Sequence, residues 1–200
     1  MNIRFVYILL SVTLFASQSC KQSDPVEKKL AAIWSDEFNG SELDQSKWEY
    51  QLGDGTQYGI WGWGNNEQQY YTKNNLEVKD GKLRIKALKE ETNGYEYSSA
   101  RIRSLNKGDF KYGRFEASIR MDNTNGLWHA FWMLPSNPTR GWPMSGEIDV
   151  MEYVGNSDNQ ILNYLHMADF NDNQVSRGKP TFIQADNYFH QYAVEWDENQ

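Results

Sequence analysis

Cysteine is almost absent: Cys20 is the only one among 200 residues. A lone thiol excludes an intramolecular disulfide, so packing or a metal has to hold the fold together. Histidine is scarce as well. His129, His166 and His190 show no ligand spacing, and no zinc motif of the H-E-x-x-H kind occurs. Basic residues are outnumbered, 20 Lys and Arg against 27 Asp and Glu, for a net charge of -7. Such a balance excludes nucleic acid as a partner, because phosphate contact needs a basic surface. A sustained helical period is missing too: beyond the first residues no stretch repeats its apolar positions every 3.6 residues.

What is present in quantity is aromatic. Eight Trp, twelve Tyr and nine Phe make up 14% of a chain that is 39% hydrophobic and 24% charged. This is the composition of a globular domain with a real core rather than of a disordered chain. The rings have two uses open to them: filling the core of a sandwich, or lining a cleft where flat faces stack on sugar rings.

The chain reads as one domain behind a leader. Arg4 precedes the apolar run "FVYILLSVTLFA", roughly a dozen residues and too short to cross a bilayer comfortably. Residues 1–19 therefore read as a secretory signal peptide. Cys20 follows where a lipoprotein carries its lipid. The stretch resembles a lipobox with Ser17 in place of the usual Leu, and a plain signal peptide is the alternative. Residues 20–32 are polar and charged and read as a tether. The expected location is secreted or cell-surface, as an outer-membrane lipoprotein if Cys20 is lipidated. A membrane contact would then run through that anchor.

From Ile33 onward the signals are strands. "RFEASIRM" sets Phe115, Ala117, Ile119 and Met121 against Arg114, Glu116, Ser118 and Arg120. "KLRIKAL" sets Leu83, Ile85 and Ala87 against Arg84 and Lys86. "KDGK", "NKGDF" and "NTNG" supply turn chemistry between strands. In "WHAFWML" both faces are bulky, and in "EIDVMEYV" one face is acidic. A strand of this kind lines a cavity rather than facing open water. The architecture expected is all-β: a two-sheet antiparallel sandwich, with one sheet curved around a cleft.

The carboxylates carry the chemistry. Side chains alternate along a strand, so Glu147 and Asp149 share a face, while Glu152 falls out of phase among Ile148 and Val150. An ionised Glu in an apolar core is very unfavourable without a partner. A β-bulge around Val150 and Met151 supplies one extra residue and returns Glu152 to the acidic face. Three carboxylates in a row repel, so one of them should hold a proton near neutral pH. That is what retaining glycoside hydrolysis requires: a nucleophile and a general acid about 5–5.5 Å apart. Two other uses of the cluster are a solvated acidic face and a metal site built from the three carboxylates.

These residues resemble glycoside hydrolase family 16, whose signature E-[hydrophobic]-D-x-x-E is matched by "EIDVME". "GWGNNEQQYYT", "SSARI", "HAFWMLP" and "GWPMSGEIDVMEYVG" resemble the laminarinase-type β-1,3-glucanases within it. The resemblance runs from about residue 34 to residue 196. It implies a β-jelly roll with its substrate cleft on the concave sheet, and a catalytic domain over residues 33–200. Glu147 is similar to the family's nucleophile and Glu152 to its general acid/base. Asp149 matches the residue that tunes the pair. Trp128, Trp132 and Trp142 fall where the family stacks glucose, with a core role the alternative, above all for Trp132. Asn65 and Arg101 fit contacts to sugar hydroxyls or structural roles. His166 falls where a cleft-lining His follows the catalytic strand.

The resemblance also implies a structural calcium, with no cofactor for catalysis. Glu37 and the Gly81 carbonyl match two ligand positions, and a third, an Asp near the family's C-terminus, has no counterpart. Family members continue through further strands past the equivalent of Gln200, so the domain is expected to be incomplete at its C-terminus.

The function expected is a secreted, monomeric endo-β-1,3-glucanase acting on laminarin-like β-glucans with retention. A related glycanase on mixed-linkage glucan or a marine galactan is the alternative within enzymes. The extra Met151 speaks against the lichenase form, which lacks the bulge residue. A non-catalytic β-glucan-binding module is the alternative outside them, needing the aromatics but not the carboxylates.

Overall fold

A computed structural model of the chain describes residues 31–157, 159–182 and 188–199. The chain divides into two units, Met1–Ile33 and Trp34–Gln200. The expected leader, Cys20 and nearly all of the tether lie outside the described residues, and the architecture below belongs to the second unit.

Among the described residues the secondary structure is β apart from two short 3-10 helices, Thr56–Tyr58 and Trp61–Gly64. The central sheet has four antiparallel strands: β9 (Trp128–Met133), β10 (Glu147–Val154), β11 (Gln160–Ala168) and β12 (Gln174–Phe182), in the order β12-β11-β10-β9. A second layer pairs β8 (Gly113–Ile119) with β13 (His190–Trp196), antiparallel over their whole length. The core lies between these layers. Val150, Met151 and Tyr153 of β10, Ile161 of β11 and Tyr192 of β13 are buried together with Met121. Ile119, Phe131, Met133 and Val194 pack around them. The alternation read in "RFEASIRM" is what supplies the β8 side: Phe115, Ala117 and Ile119 are half-buried, while Arg114, Glu116 and Ser118 are exposed.

Smaller pairings flank this sandwich. β1 (Glu49–Gln51) pairs with β7 (Arg101–Arg103), and β3 (Leu76–Val78) with β4 (Leu83–Ile85). β6 (Tyr95–Ser99) pairs with β5 (Leu88–Thr92) on one side and β2 (Gln69–Tyr71) on the other; β2–β6 is a parallel pair in an otherwise antiparallel set. The "KDGK" turn joins β3 to β4 with Asp80 and Gly81 both at positive φ, 54° and 66°, and with reciprocal hydrogen bonds between Lys79 and Lys82. Two left-handed residues match the twist of a tight hairpin, and glycine takes the second without strain.

"KLRIKAL" is not one strand. β4 stops at Ile85: the Lys86 amide still donates in register to the Asn75 carbonyl, 2.8 Å away, but the Lys86 carbonyl accepts from the Asn75 side-chain amide, Nδ2 at 3.2 Å. β5 restarts at Leu88, and Ile85 and Leu88 are among the exposed apolar side chains.

Candidate active site

The bulge predicted from the odd spacing is present. On one side of β10, Asp149 faces Trp132 and Met151 faces Phe131, so Val150 has no counterpart on β9. On the other, Asp149 faces Tyr164 and Glu152 faces Leu162, so Val150 and Met151 together stand against one residue of β11. The register places the extra residue on the β9 side at Val150, one position before the Met151 suggested by the sequence. Val150, Met151 and Tyr153 are 3%, 1% and 0% exposed. Two successive side chains thus enter the core, and Glu152 comes out on the face of Glu147 and Asp149.

The same register builds the rest of that face. β9 contributes Trp132 opposite Asp149 and Ala130 opposite Glu152, with Trp128 beyond them. β11 contributes His166 opposite Glu147, Tyr164 opposite Asp149 and Leu162 opposite Glu152.

Each outer carboxylate receives an indole N–H. Trp128 Nε1 donates to Glu152 Oε1 at 3.0 Å, and Trp142 Nε1 donates to Glu147 Oε2. Both rings are otherwise open, 52% and 59% exposed. They offer flat apolar faces held in place by a polar edge. Trp142 also lies against His166, ring centroids 5.7 Å apart, and His166 stacks on Tyr164 at the same distance.

Asp149 is the most enclosed of the three acids, with 3% of its side chain exposed. His166 Nε2 approaches its Oδ2 to 3.1 Å, though without the alignment of a hydrogen bond. His166 Nδ1 is 2.7 Å from Ser176 Oγ, its cross-strand neighbour on β12. Burial, then the adjacent charges of Glu147 and Glu152, and then hydrogen bonding to Glu147 push Asp149 up to about 8. Glu152 is also raised, by burial first and by the Glu147 charge, against the pull of the Trp128 N–H and of His166. At neutral pH the middle acid holds a proton, which relieves the repulsion expected of three carboxylates in a row.

A family model described as glycosyl hydrolases family 16 matches residues 62–200. The chain belongs to that family. Among the chain's relatives, glucan endo-1,3-beta-glucosidase A1 of Niallia circulans is 38% identical over 193 residues, covering 88% of this chain and 28% of that protein. The beta-glucanase of Rhodothermus marinus is 38% identical over 197 residues, covering 94% of this chain and 67% of that one. The chain thus spans between about a quarter and two thirds of the length of these curated relatives. Laminarinase from Flavobacterium sp. UMI-01 superposes with a TM-score of 0.72 at 40% identity, over 83% of this chain and 70% of that one.

Against this family frame the remaining expected residues fall in two groups. Trp132 is on the acidic face, opposite Asp149, rather than in the core. Its ring is covered by the Arg101 guanidinium, 4.8 Å from its centroid, and the same guanidinium lies 4.4 Å from that of Trp63. Arg101 Nε donates to Gln51 Oε1 at 2.7 Å, so Arg101 is fixed between two indoles. Asn65 sits exposed after the Trp61–Gly64 turn. Its amide lies 3.4 Å from Glu67 Oε1, and no described contact joins it to the carboxylates.

Glu37 and Gly81 are neighbours on another part of the surface. A Cβ on Gly81 would lie 3.9 Å from the Glu37 carbonyl oxygen and 3.6 Å from Asn39 Oδ1. Glu37 and Asn39 line a hollow of about 310 Å³ with Asp36, Glu42 and Asp44. These are hard oxygen donors of the type calcium takes. A separate trio, Glu147, Asp149 and His166, has ligand atoms all within 4.8 Å of one another. That trio is the acidic face itself, where the Trp142 N–H and the Ser176 hydroxyl already engage Glu147 and His166.

The sequence reading missed Tyr164, Ser176 and Asn163. The signal for the last was available: Asn163 alternates with the acid-facing Leu162 and Tyr164, which sets a polar side chain on the side of buried Ile161.

Proposed function

We propose that this family 16 domain hydrolyses internal β-1,3-glucosidic bonds of laminarin-like β-glucans by a retaining double displacement. The observation that carries the reading is the bulge. It sets Glu147 and Glu152 on one face, two strand positions either side of the buried Asp149, each with an indole donor. Relatives named as endo-1,3-β-glucanases and laminarinases support the linkage.

In this mechanism the Glu147 carboxylate attacks the anomeric carbon while Glu152, its pKa raised by burial, protonates the departing glucosyl oxygen. Esterification then removes the Glu147 charge, one of the causes that raise Glu152. Glu152 becomes a stronger acid once its proton has been given up, and as a carboxylate it draws the proton from the incoming water. Asp149 supplies a neutral neighbour rather than a third charge. Trp128 and Trp142 provide stacking faces for glucose on either side of the pair.

The decisive measurement is reducing-end release over a panel of laminarin, mixed-linkage glucan and galactans, with the first-formed anomer read by NMR. Laminarin should be the preferred substrate and the β-anomer should appear first. Preference for another polysaccharide would overturn the substrate assignment, and first release of the α-anomer would overturn retention.

We also infer a structural calcium at Glu37 and Gly81, supported by the Glu37 carbonyl and Asn39 Oδ1 oxygens beside Gly81. Its test is a melting temperature that falls with chelator and returns with calcium. A secreted, lipid-anchored protein is proposed on the leader and Cys20 alone; labelling with a fatty-acid analogue and its loss in Cys20→Ala would test the anchor.

A further inference from the structure

A bulge has a cost that the acidic face does not reveal. The extra residue falls out of the ladder, and its backbone groups lose their regular partners. Here that residue is Val150, which is buried, so an unpaired carbonyl could not turn to water. Its partner comes from a side chain: Asn163 Nδ2 donates to Val150 O at 2.5 Å. Asn163 is the residue of β11 that stands across from Val150 and Met151, between Leu162, paired with Glu152, and Tyr164, paired with Asp149. Its own strand is fixed from behind, where Asn163 pairs with Lys179 of β12.

We propose that Asn163 is a positioning residue for the acid/base: by holding the Val150 carbonyl it fixes the bulge, and through the bulge it holds Glu152 in phase with Glu147. The placement supports this over a general packing role. Asn163 is only partly buried and lies outside the core cluster, and an amide is what the displaced carbonyl requires. Asn163 touches neither the carboxylates nor the cleft, so its effect reaches the chemistry only through the two backbone positions between Val150 and Glu152.

The proposal rests on Glu152 being the general acid, and the experiment separates the two ideas. Hydrolysis of glucan needs a proton on the leaving oxygen. A dinitrophenyl laminari-oligosaccharide does not, because its phenolate departs unaided. Glu152→Ala should therefore lose about 10²–10⁴-fold in kcat/KM on glucan while keeping most of it on the aryl substrate. Asn163→Leu should show the same asymmetry in milder form. We expect at least about a tenfold loss on glucan, carried by kcat with KM nearly constant, and under about a threefold loss on the aryl glycoside.

Asn163→Ala is the second variant if the Leu form does not fold, and the same asymmetry is expected of it. Equal losses on both substrates in the Asn163 variants, or no loss, would overturn the positioning role and leave the acid assignment standing. Equal losses in Glu152→Ala would overturn both. Failure of both Asn163 variants to fold would also overturn it, by making Asn163 a residue of the core.

Discussion

The two faces of β10 solve different problems with the same eight residues. On one face Val150, Met151 and Tyr153 are almost wholly removed from water, and what they supply is volume. Tyr153 adds a single polar tie, its hydroxyl donating to Asn123 Oδ1 at 2.5 Å. On the other face Glu147 and Glu152 are held by indole N–H donors, and Asp149 lies 3.1 Å from a histidine nitrogen. Burial is concentrated on the first face, the proposed mechanism puts reactivity on the second, and the bulge is where the strand changes phase between them. The difference teaches that the faces should be separable by mutation: one set of changes should cost folding and the other turnover.

The largest effect expected is at Glu147. Glu147→Gln removes the attacking oxygen without changing shape, and kcat on β-glucan should fall by about four orders of magnitude or more. Its thermal midpoint should stay close to that of the parent. A large loss of stability there would show that the acidic face also holds the fold.

Tyr153→Ala addresses the opposite face. Emptying a fully buried aromatic site should cost about 3–5 kcal/mol in urea unfolding. Activity per folded molecule should survive, measured at a temperature where the variant remains native. If turnover per folded molecule collapsed with stability, the two faces would not be separable.

Asp149 sharpens the comparison, because it is an acid buried nearly as deeply as the core. Its value in the folded protein, about 8, lies above the ordinary 3.8, so the native state holds a proton that the unfolded chain releases. The resulting stabilisation is complete below 3.8 and is lost as pH rises toward 8. Asp149→Asn keeps the shape and removes the titration. Urea midpoints across that range should decline less with pH in the variant than in the parent. An unchanged decline would place the proton elsewhere.

The smallest effect is expected at Trp128. Its N–H pulls the Glu152 value down against burial. Trp128→Phe keeps a flat ring and removes the donor, so the alkaline limb of kcat/KM should move up by less than about one pH unit. A downward shift would mean that the indole acts on Glu152 mainly through packing.

How much of this was legible beforehand depends on range. The bulge could be read from "EIDVME" because phase along a strand is local: an odd spacing in an otherwise buried run has few solutions. The alternation of Phe115, Ala117 and Ile119 is local in the same way, and it gave the inner side of the second layer. "KLRIKAL" misled because its pattern is equally clean, while the Lys86 carbonyl just past the strand's end is taken by the Asn75 side chain, eleven residues away. Contacts that depend on inter-strand register were beyond reach. Nothing near Arg101 in the sequence says that it will lie between Trp63 and Trp132. Nothing near Ser176 says that it will face His166. The acids were visible as chemistry, but the residues that hold them became visible only once the strands were paired.

The indole that touches Glu152 also has an open ring face, proposed above as a sugar platform, and that role would couple two equilibria that are usually treated apart. A glucose ring laid on Trp128 would displace water from beside the very carboxyl whose proton the reaction needs. Occupancy and protonation then become linked variables: the complex retains the acid proton to higher pH than the free enzyme does. The pH profile of kcat should extend further into the alkaline range than that of kcat/KM. Through one side chain, the substrate would help to keep its own catalyst charged with a proton.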